Sequence, residues 1–267
     1  LRGDHPAAHG VKGGTSTEKQ GVVKRKGNKV QRKKGKRIPK RVRGQEEQVK
    51  LGLLALNVCG LLAIRSKVAT NLTPEAGDMM KYEPSDKLRQ VLSMMKAQGV
   101  KVAVLSDTHH DKEQAEAVAG ILNDNGYGAY WTEGTVNGLM RTRGVMVVWD
   151  QKEVIVNRKK TESCSIIEEG RMVRVEMEVT RDGRELAVLG VYMPVRSSEN
   201  REELDESWGA LRNAVSTEEK DVLIGGDLNA ETCEWREQRG AKHVTHADWL
   251  LDELVEDCEY VAQARGA

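Results

Sequence analysis

Asp227 and Asn229 stand two residues apart in Asp221-Val222-Leu223-Ile224-Gly225-Gly226-Asp227-Leu228-Asn229-Ala230, where a short apolar run ends in two glycines and then polar side chains. The pattern is that of a buried strand stopping at a site, with a carboxylate and an amide spaced to share one face of an extended chain. Glycines at such a point let the backbone turn tightly and a ligand come close; a polar turn after a core strand is the competing reading. Two other apolar runs end similarly, Leu53-Leu54-Ala55-Leu56-Asn57 and Val102-Ala103-Val104-Leu105-Ser106-Asp107-Thr108-His109, and a fourth ends at Tyr192-Met193-Pro194. Asn57, Asp107, Tyr192, Asp227 and Asn229 together form an inventory of hard oxygen donors with one phenol. Such a set suits Mg²⁺, which retains waters and shares a substrate phosphate. It also suits phosphodiester hydrolysis, in which a metal stabilises charge on the phosphoryl oxygens while a carboxylate readies the attacking water.

The elements that must hold these residues follow from periodicity. Leu88, Val91, Leu92 and Met95 repeat at helical spacing and predict a helix over Asp86–Gln98, opened by Pro84 and Ser85. Ala115, Val118, Ala119 and Leu122 predict a second over Lys112–Asn125, ending at Gly126. Strands are expected near 127–131, 144–149, 153–157 and 165–168. Val173, Val175, Met177 and Val179 alternate with Arg174, Glu176 and Glu178, a strand with one buried and one wet face. Arg181-Asp182-Gly183-Arg184 supplies the hairpin turn to its partner, Leu186–Tyr192. Leu204, Trp208 and Leu211 predict a helix over Arg201–Val215, and Leu250, Leu251, Leu254 and Val255 a last one over Ala247–Cys258. Residues 58–83 have mixed polarity and two prolines flanking them or within them, and are expected to be an irregular excursion. Hairpins beside helical crossovers, with no internal repeat, imply an α+β fold with a mixed sheet core and helices outside.

Charge divides the chain in two. Residues 1–44 hold 15 Lys/Arg against Asp4 and Glu18, a net of +13, and the remainder nets −12. Residues 1–48 are expected to be a disordered basic arm and 49–267 the folded domain, because the arm has too little apolar surface to fold. Within the arm Lys33, Lys34, Lys36, Arg37, Lys40 and Arg41 cluster as candidate phosphate contacts or a nuclear import signal. The chain has no Phe and only 4% aromatic residues, so the core must rest on aliphatic side chains and five Trp. Cys59, Cys164, Cys233 and Cys258 show no paired spacing, which argues against a zinc ribbon or a secreted disulfide framework. No apolar run is long enough for a membrane span and the N-terminus is not a signal peptide, so a nuclear or cytoplasmic protein is expected, neither secreted nor membrane-bound.

Four of these motifs, in order, resemble the endonuclease/exonuclease/phosphatase family, most closely the endonuclease domains of non-LTR retrotransposons. They are Leu56-Asn57-Val58-Cys59-Gly60-Leu61, Ser106-Asp107-Thr108-His109, Tyr192-Met193-Pro194 and Gly226-Asp227-Leu228-Asn229, with Gly144-Val145-Met146-Val147-Val148 similar to an intervening core strand. The resemblance covers roughly residues 51–260 and implies a two-sheet α/β sandwich. It implies that Asn57 and Asp107 hold Mg²⁺ (or Mn²⁺), that Tyr192 contacts the scissile phosphate, and that Asp227 and Asn229 orient the water and the phosphate. His109 would lie near the phosphate groove. DNA is the implied partner, within a longer polyprotein carrying a reverse transcriptase. Two departures stand out: Asp107 occupies a position where the family has Glu, and the family's Ser-Asp-His motif is not found before Ala267. The domain is therefore expected to be C-terminally truncated, and weak or inactive by itself. His243 and His246 follow Asp227 too closely to be that motif and are expected at the surface. A catalytically dead nucleic-acid-binding module, and a repair nuclease or lipid or inositol phosphatase on the same scaffold, are the alternatives.

Overall fold

A computed structural model describes residues 51–61, 63–67, 80–138, 140–157, 163–195, 200–240 and 243–257. The basic segment 1–48, with Lys33, Lys34, Lys36, Arg37, Lys40 and Arg41, lies outside the described residues. In chain order the elements are β1 (Leu53–Asn57), β2 (Ala63–Lys67), β3 (Met80–Pro84), α1 (Asp86–Ala97), β4 (Val102–Ser106), α2 (Lys112–Asp124), β5 (Tyr127–Thr132), β6 (Thr135–Asn137), β7 (Met140–Thr142), β8 (Val145–Asp150), β9 (Val154–Ile155), β10 (Cys164–Glu168), β11 (Met172–Val179), β12 (Glu185–Tyr192), α3 (Arg201–Ser216), β13 (Asp221–Asp227), α4 (Cys233–Gln238) and α5 (His246–Asp257).

Two sheets form the centre. One runs β1-β4-β8-β5; the other runs β10-β11-β12-β13, with β9 also pairing β11. Between them lie Val102, Val104, Val145, Val147 and Trp149 of the first sheet against Val173, Val175, Met177, Leu186 and Val188 of the second. Successive side chains in a strand point to opposite faces, so the intervening Ala103, Leu105, Met146 and Val148 turn outward and pack with Leu88, Leu92 and Met95 of α1 and Val118 and Leu122 of α2. On the far side, Leu189 and Val191 meet Leu204, Trp208 and Leu211 of α3 and Leu251 and Leu254 of α5. The result is a helix, sheet, sheet, helix stack of mixed α/β class, and the two-sheet architecture expected from the sequence is the one observed. Each fully buried aliphatic side chain in these layers contributes about 1.5–3 kcal/mol before chain entropy is set against it.

Glycines let the sheets approach. A Cβ on Gly225 would stand 3.0 Å from Val104 Cγ2, and one on Gly190 would stand 2.8 Å from Val147 Cγ2. Gly225 therefore serves sheet packing and not ligand approach, a correction to the reading of the Gly-Gly pair in the sequence. A second correction concerns 58–83: Ala63–Lys67 and Met80–Pro84 pair as an antiparallel ribbon, because alternation over five residues was masked by the mixed polarity of the segment. The ribbon β6–β7 and the short α4 were likewise not anticipated.

Two of the pairings are parallel, β1 with β4 and β12 with β13. A parallel pair needs a crossover, and α1 and α3 lie in these two connections. Parallel neighbours end at the same rim, so Asn57 aligns with Ser106, and Tyr192 with Asp227. No described helix is long and apolar enough to cross a membrane.

Candidate active site

The carboxyl ends of β1, β4, β12 and β13 meet at one rim, where strand backbone gives way to side chains. Asp227 leaves β13 with both carboxylate oxygens engaged: Oδ2 accepts from Asn57 Nδ2 at 2.8 Å, and Oδ1 accepts from the Asn229 backbone N–H at 3.0 Å. The first of these bonds crosses from one sheet to the other. Asn57 is itself oriented by the Cys59 backbone N–H, which donates to its Oδ1 at 3.1 Å. Lys87 on α1 braces the same turn, its Nζ donating to the carbonyls of Val58 at 2.7 Å and Cys59 at 2.8 Å.

Asp107 follows β4 directly, and its Oδ1 takes His109 Nε2 at 2.9 Å and the Arg143 backbone N–H at 3.3 Å. His109 thus sits against the carboxylate, and its own N–H donates to the Arg143 carbonyl at 2.8 Å. Tyr192 faces both acids. Burial first, and then the charges of Asp107 and Asp227, push its phenol above the ordinary tyrosine value, against the opposing pull of Arg171. A raised phenol pKa keeps the hydroxyl protonated at neutral pH, so Tyr192 is a hydrogen-bond donor there. Asn229 anchors the rim, since its Nδ2 donates to the Met193 carbonyl at 2.7 Å. All six residues singled out in the folded part of the chain are therefore joined through one web of contacts.

The web is held under strain. The described non-glycine residues with positive φ are Cys59 at 42°, Asp107 at 59°, His109 at 59°, Arg143 at 68° and Asn229 at 47°. Cys59, Asp107, His109 and Asn229 lie in the turns that follow β1, β4 and β13, and Arg143 lies in the β7–β8 turn that contacts Asp107. Such conformations cost about 1–3 kcal/mol each and persist where surrounding contacts over-determine them, as the backbone bonds of Gly60 to Asp107, Leu61 to Thr108 and Met193 to Asp227 do here. Behind the rim His110 is fully buried with its Nε2 against the Leu61 carbonyl. Burial pushes its imidazole down to about 4, so it is a neutral structural tie and not a second charge at the site.

Three residues of the site were not anticipated. Arg171, 3% exposed, accepts the Tyr192 N–H on its carbonyl at 2.8 Å and donates from Nη1 to the Tyr192 carbonyl at 3.1 Å. Arg143 frames Asp107 and His109. Glu203 on α3 accepts from Arg143 Nη2 at 2.6 Å and from Arg171 Nη2 at 2.7 Å. The sequence carries no signal for them, since each is one ordinary ion among many. His243 is exposed, and His246, at the start of α5, lies 2.6 Å from Asp205 Oδ1 of α3.

The donor chemistry fits a hard, hydrated cation. Two carboxylates turned on one phenol, with two amides beside them, present oxygen donors at the rim. Among the described residues no group of three or more His, Cys, Asp and Glu stands together as a metal cage. That spare set matches Mg²⁺, which keeps water ligands and needs few carboxylates, better than a caged zinc.

No family model and no curated protein matches this chain. Solved structures similar to it include the endonuclease domain of TRAS1, a telomere-specific non-LTR retrotransposon, at 13% identity and a TM-score of 0.42, covering 65% of this chain and 66% of that one. The human Nocturnin catalytic domain with bound sulfate matches at 13% identity and a TM-score of 0.45, over 71% and 68% of the two chains. An AP endonuclease from Archaeoglobus fulgidus matches at 13% identity and a TM-score of 0.42, over 64% and 65%. The chain thus spans about two thirds of the length of these proteins. The chemistry rests on the residues of this chain.

Proposed function

We propose that the domain is a divalent-metal-dependent phosphodiesterase that cleaves DNA, of the retroelement endonuclease kind. The observation that carries this reading is the convergence of Asn57, Asp107, Tyr192 and Asp227 from four strand ends in two sheets onto one rim, tied by the Asn57–Asp227 bond. Asn57 and Asp107 would hold the cation, which would supply charge stabilisation at the phosphoryl oxygens. The remaining work belongs to the chain. Asp227, fixed through both oxygens, keeps lone pairs with which to orient a water and receive its proton. Tyr192, held neutral, donates to a phosphate oxygen. Asn229 keeps the Asp227 turn against the Tyr192-Met193-Pro194 segment. His109 acts through Asp107, as its positioning partner. The basic segment 1–48 supplies non-specific attraction to the phosphate backbone.

Conversion of supercoiled plasmid to nicked circle in Mg²⁺, Mn²⁺ and EDTA tests the proposal. Nicking is expected with either metal and not with chelator, and Asp227→Ala is expected to lower the rate by about 10²–10³, the scale for removing one preorganised polar group. Equal nicking by Asp227→Ala and the parent would overturn the assignment of the site. Bound but uncut DNA with intact Asp227 would point to the non-catalytic alternative.

A further inference from the structure

Two arginines bracket the two halves of the rim. Arg143 belongs to the first sheet's loop, where its backbone N–H donates to Asp107 Oδ1 and its carbonyl accepts from His109. Arg171 lies in the β10–β11 turn of the second sheet, where its carbonyl accepts from the Tyr192 N–H and its guanidinium donates to the Tyr192 carbonyl. Their guanidiniums converge on a single oxygen, Glu203 Oε1, at 2.6 and 2.7 Å. Glu203 sits in the first turn of α3, the helix that connects β12 to β13 and so links the Tyr192 end to the Asp227 strand. Arg171 also lies 3.4 Å from Glu168, whose Oε1 accepts from Ser207 of the same helix.

We infer that Glu203 is a positioning residue that locks the Asp107 loop and the Tyr192 loop into register across the two sheets. The inference rests on the nuclease reading for its kinetic consequence, but the geometry it describes stands independently. Glu203 touches neither Asp107 nor Tyr192; it acts through the arginines. An ionised carboxylate is the only one of its protonation states that accepts two charge-assisted bonds well, and burial, which by itself would raise its pKa, is outweighed by Arg171 and Arg143, which hold it below the ordinary glutamate range. Without that charge the two guanidiniums repel, and the Arg143 turn, already at φ 68°, loses one of the contacts that hold it there. The Tyr192 hydroxyl and the Asp107 carboxylate then lose their fixed separation, and a reaction that depends on near-attack geometry is sensitive to displacements of this size.

A general loss of stability must be separated from a loss of register. Glu218→Gln serves as the matched control, because Glu218 pairs with Arg174 on the outer face of the second sheet and has no contact with the rim. In protein carrying ¹³Cζ-labelled tyrosine, with the Tyr192 signal assigned from Tyr192→Phe, Glu203→Gln is expected to displace the Tyr192 resonance while the other tyrosines stay in place. In the nicking assay it is expected to lower kcat by about tenfold or more with KM held within about twofold. Glu218→Gln should change neither. Arg143→Gln, at a half-exposed position, provides a second break in the same clasp should Glu203→Gln fail to fold, and it is expected to move the same signal. An unmoved Tyr192 resonance in both clasp variants, or an equal movement in Glu218→Gln, would overturn the inference. A parent that does not nick DNA at all would defeat the nuclease reading and leave the resonance result to decide the clasp.

Discussion

Gly226 stands one residue before Asp227, with φ at +128° and the Val191 carbonyl oxygen 2.0 Å from where a Cβ would be. No side chain fits there without moving the backbone of β12, the strand that ends in Tyr192. Gly226→Ala is therefore expected to cost more than about 3 kcal/mol, combining a φ that L-residues avoid with a backbone clash, and chemical denaturation of the variant checks it. Gly225→Ala is the milder comparison, since its new methyl would meet Val104 Cγ2 at 3.0 Å, a side chain able to shift. The sequence made Asp227, Asn229, Asn57, Asp107 and Tyr192 legible because each terminates a local apolar pattern that announces a strand. Arg143, Arg171 and Glu203 were not legible. Their partnership spans 60 and 32 residues of chain, and 42 Lys/Arg with 41 Asp/Glu offer far too many pairings for spacing to choose among.

At the scale of elements, α5 does more than cover the second sheet. Thr245 and Asp248 form a reciprocal cap at its start: the Asp248 N–H donates to Thr245 Oγ1 at 3.3 Å, and the Thr245 N–H donates to Asp248 Oδ2 at 2.6 Å. Asp248 Oδ1 then accepts from the Glu231 backbone N–H at 2.8 Å, and Asp252 accepts from the Cys233 N–H, so the helix pins the loop that follows Asn229. Asp248 is fully buried. Burial pushes its carboxyl up, but the Glu231 and Thr245 hydrogen bonds and the Arg236 guanidinium outweigh it and hold the pKa below the ordinary aspartate value. A folded-state pKa depressed in this way stabilises the fold above the unfolded aspartate pKa of about 3.9, and the contribution is lost as pH falls through the folded value. Asp248→Asn is accordingly expected to flatten the acid limb of a plot of melting temperature against pH. Asp248→Ala, which leaves buried N–H groups without an acceptor, is expected to cost about 1–3 kcal/mol at neutral pH; an unchanged acid limb in the Asn variant would show that another carboxylate governs it. Helices of this kind were readable from their apolar spacing, and Leu88, Val91, Leu92 and Met95 of α1 are all buried as that spacing required. The ribbons β2–β3 and β6–β7 were not, because strands of five and three residues are too short for alternation to stand out in a segment of mixed polarity.

For the whole molecule, the sandwich was legible in outline because its inner strands carry long aliphatic runs, while the site depended on a fact about topology. Only parallel pairing of β1 with β4 and of β12 with β13 brings four carboxyl ends to one rim, and strand patterns alone do not state direction. Charge is the remaining property at this scale. Residues 1–44 net +13 and the remainder −12, so a folded domain that repels a polyanion on balance is attached to a segment that attracts it. If the segment makes about 6–10 phosphate contacts, counterion release gives a slope of log K against log salt of roughly −0.9 per contact, and affinity falls by about 10³–10⁵ between 50 and 200 mM salt. Deleting 1–44 is expected to remove most of that slope and most of the affinity for duplex DNA at low salt. The rate of nicking at saturating DNA should change far less, since every residue of the rim lies in the domain. Fluorescence anisotropy of a labelled duplex across a salt series, run beside the nicking assay, separates the two effects. A truncated protein that keeps the parent's slope would show that the domain has its own basic groove despite its net charge, with Lys87 and Arg143 the first residues near the rim to substitute in finding it.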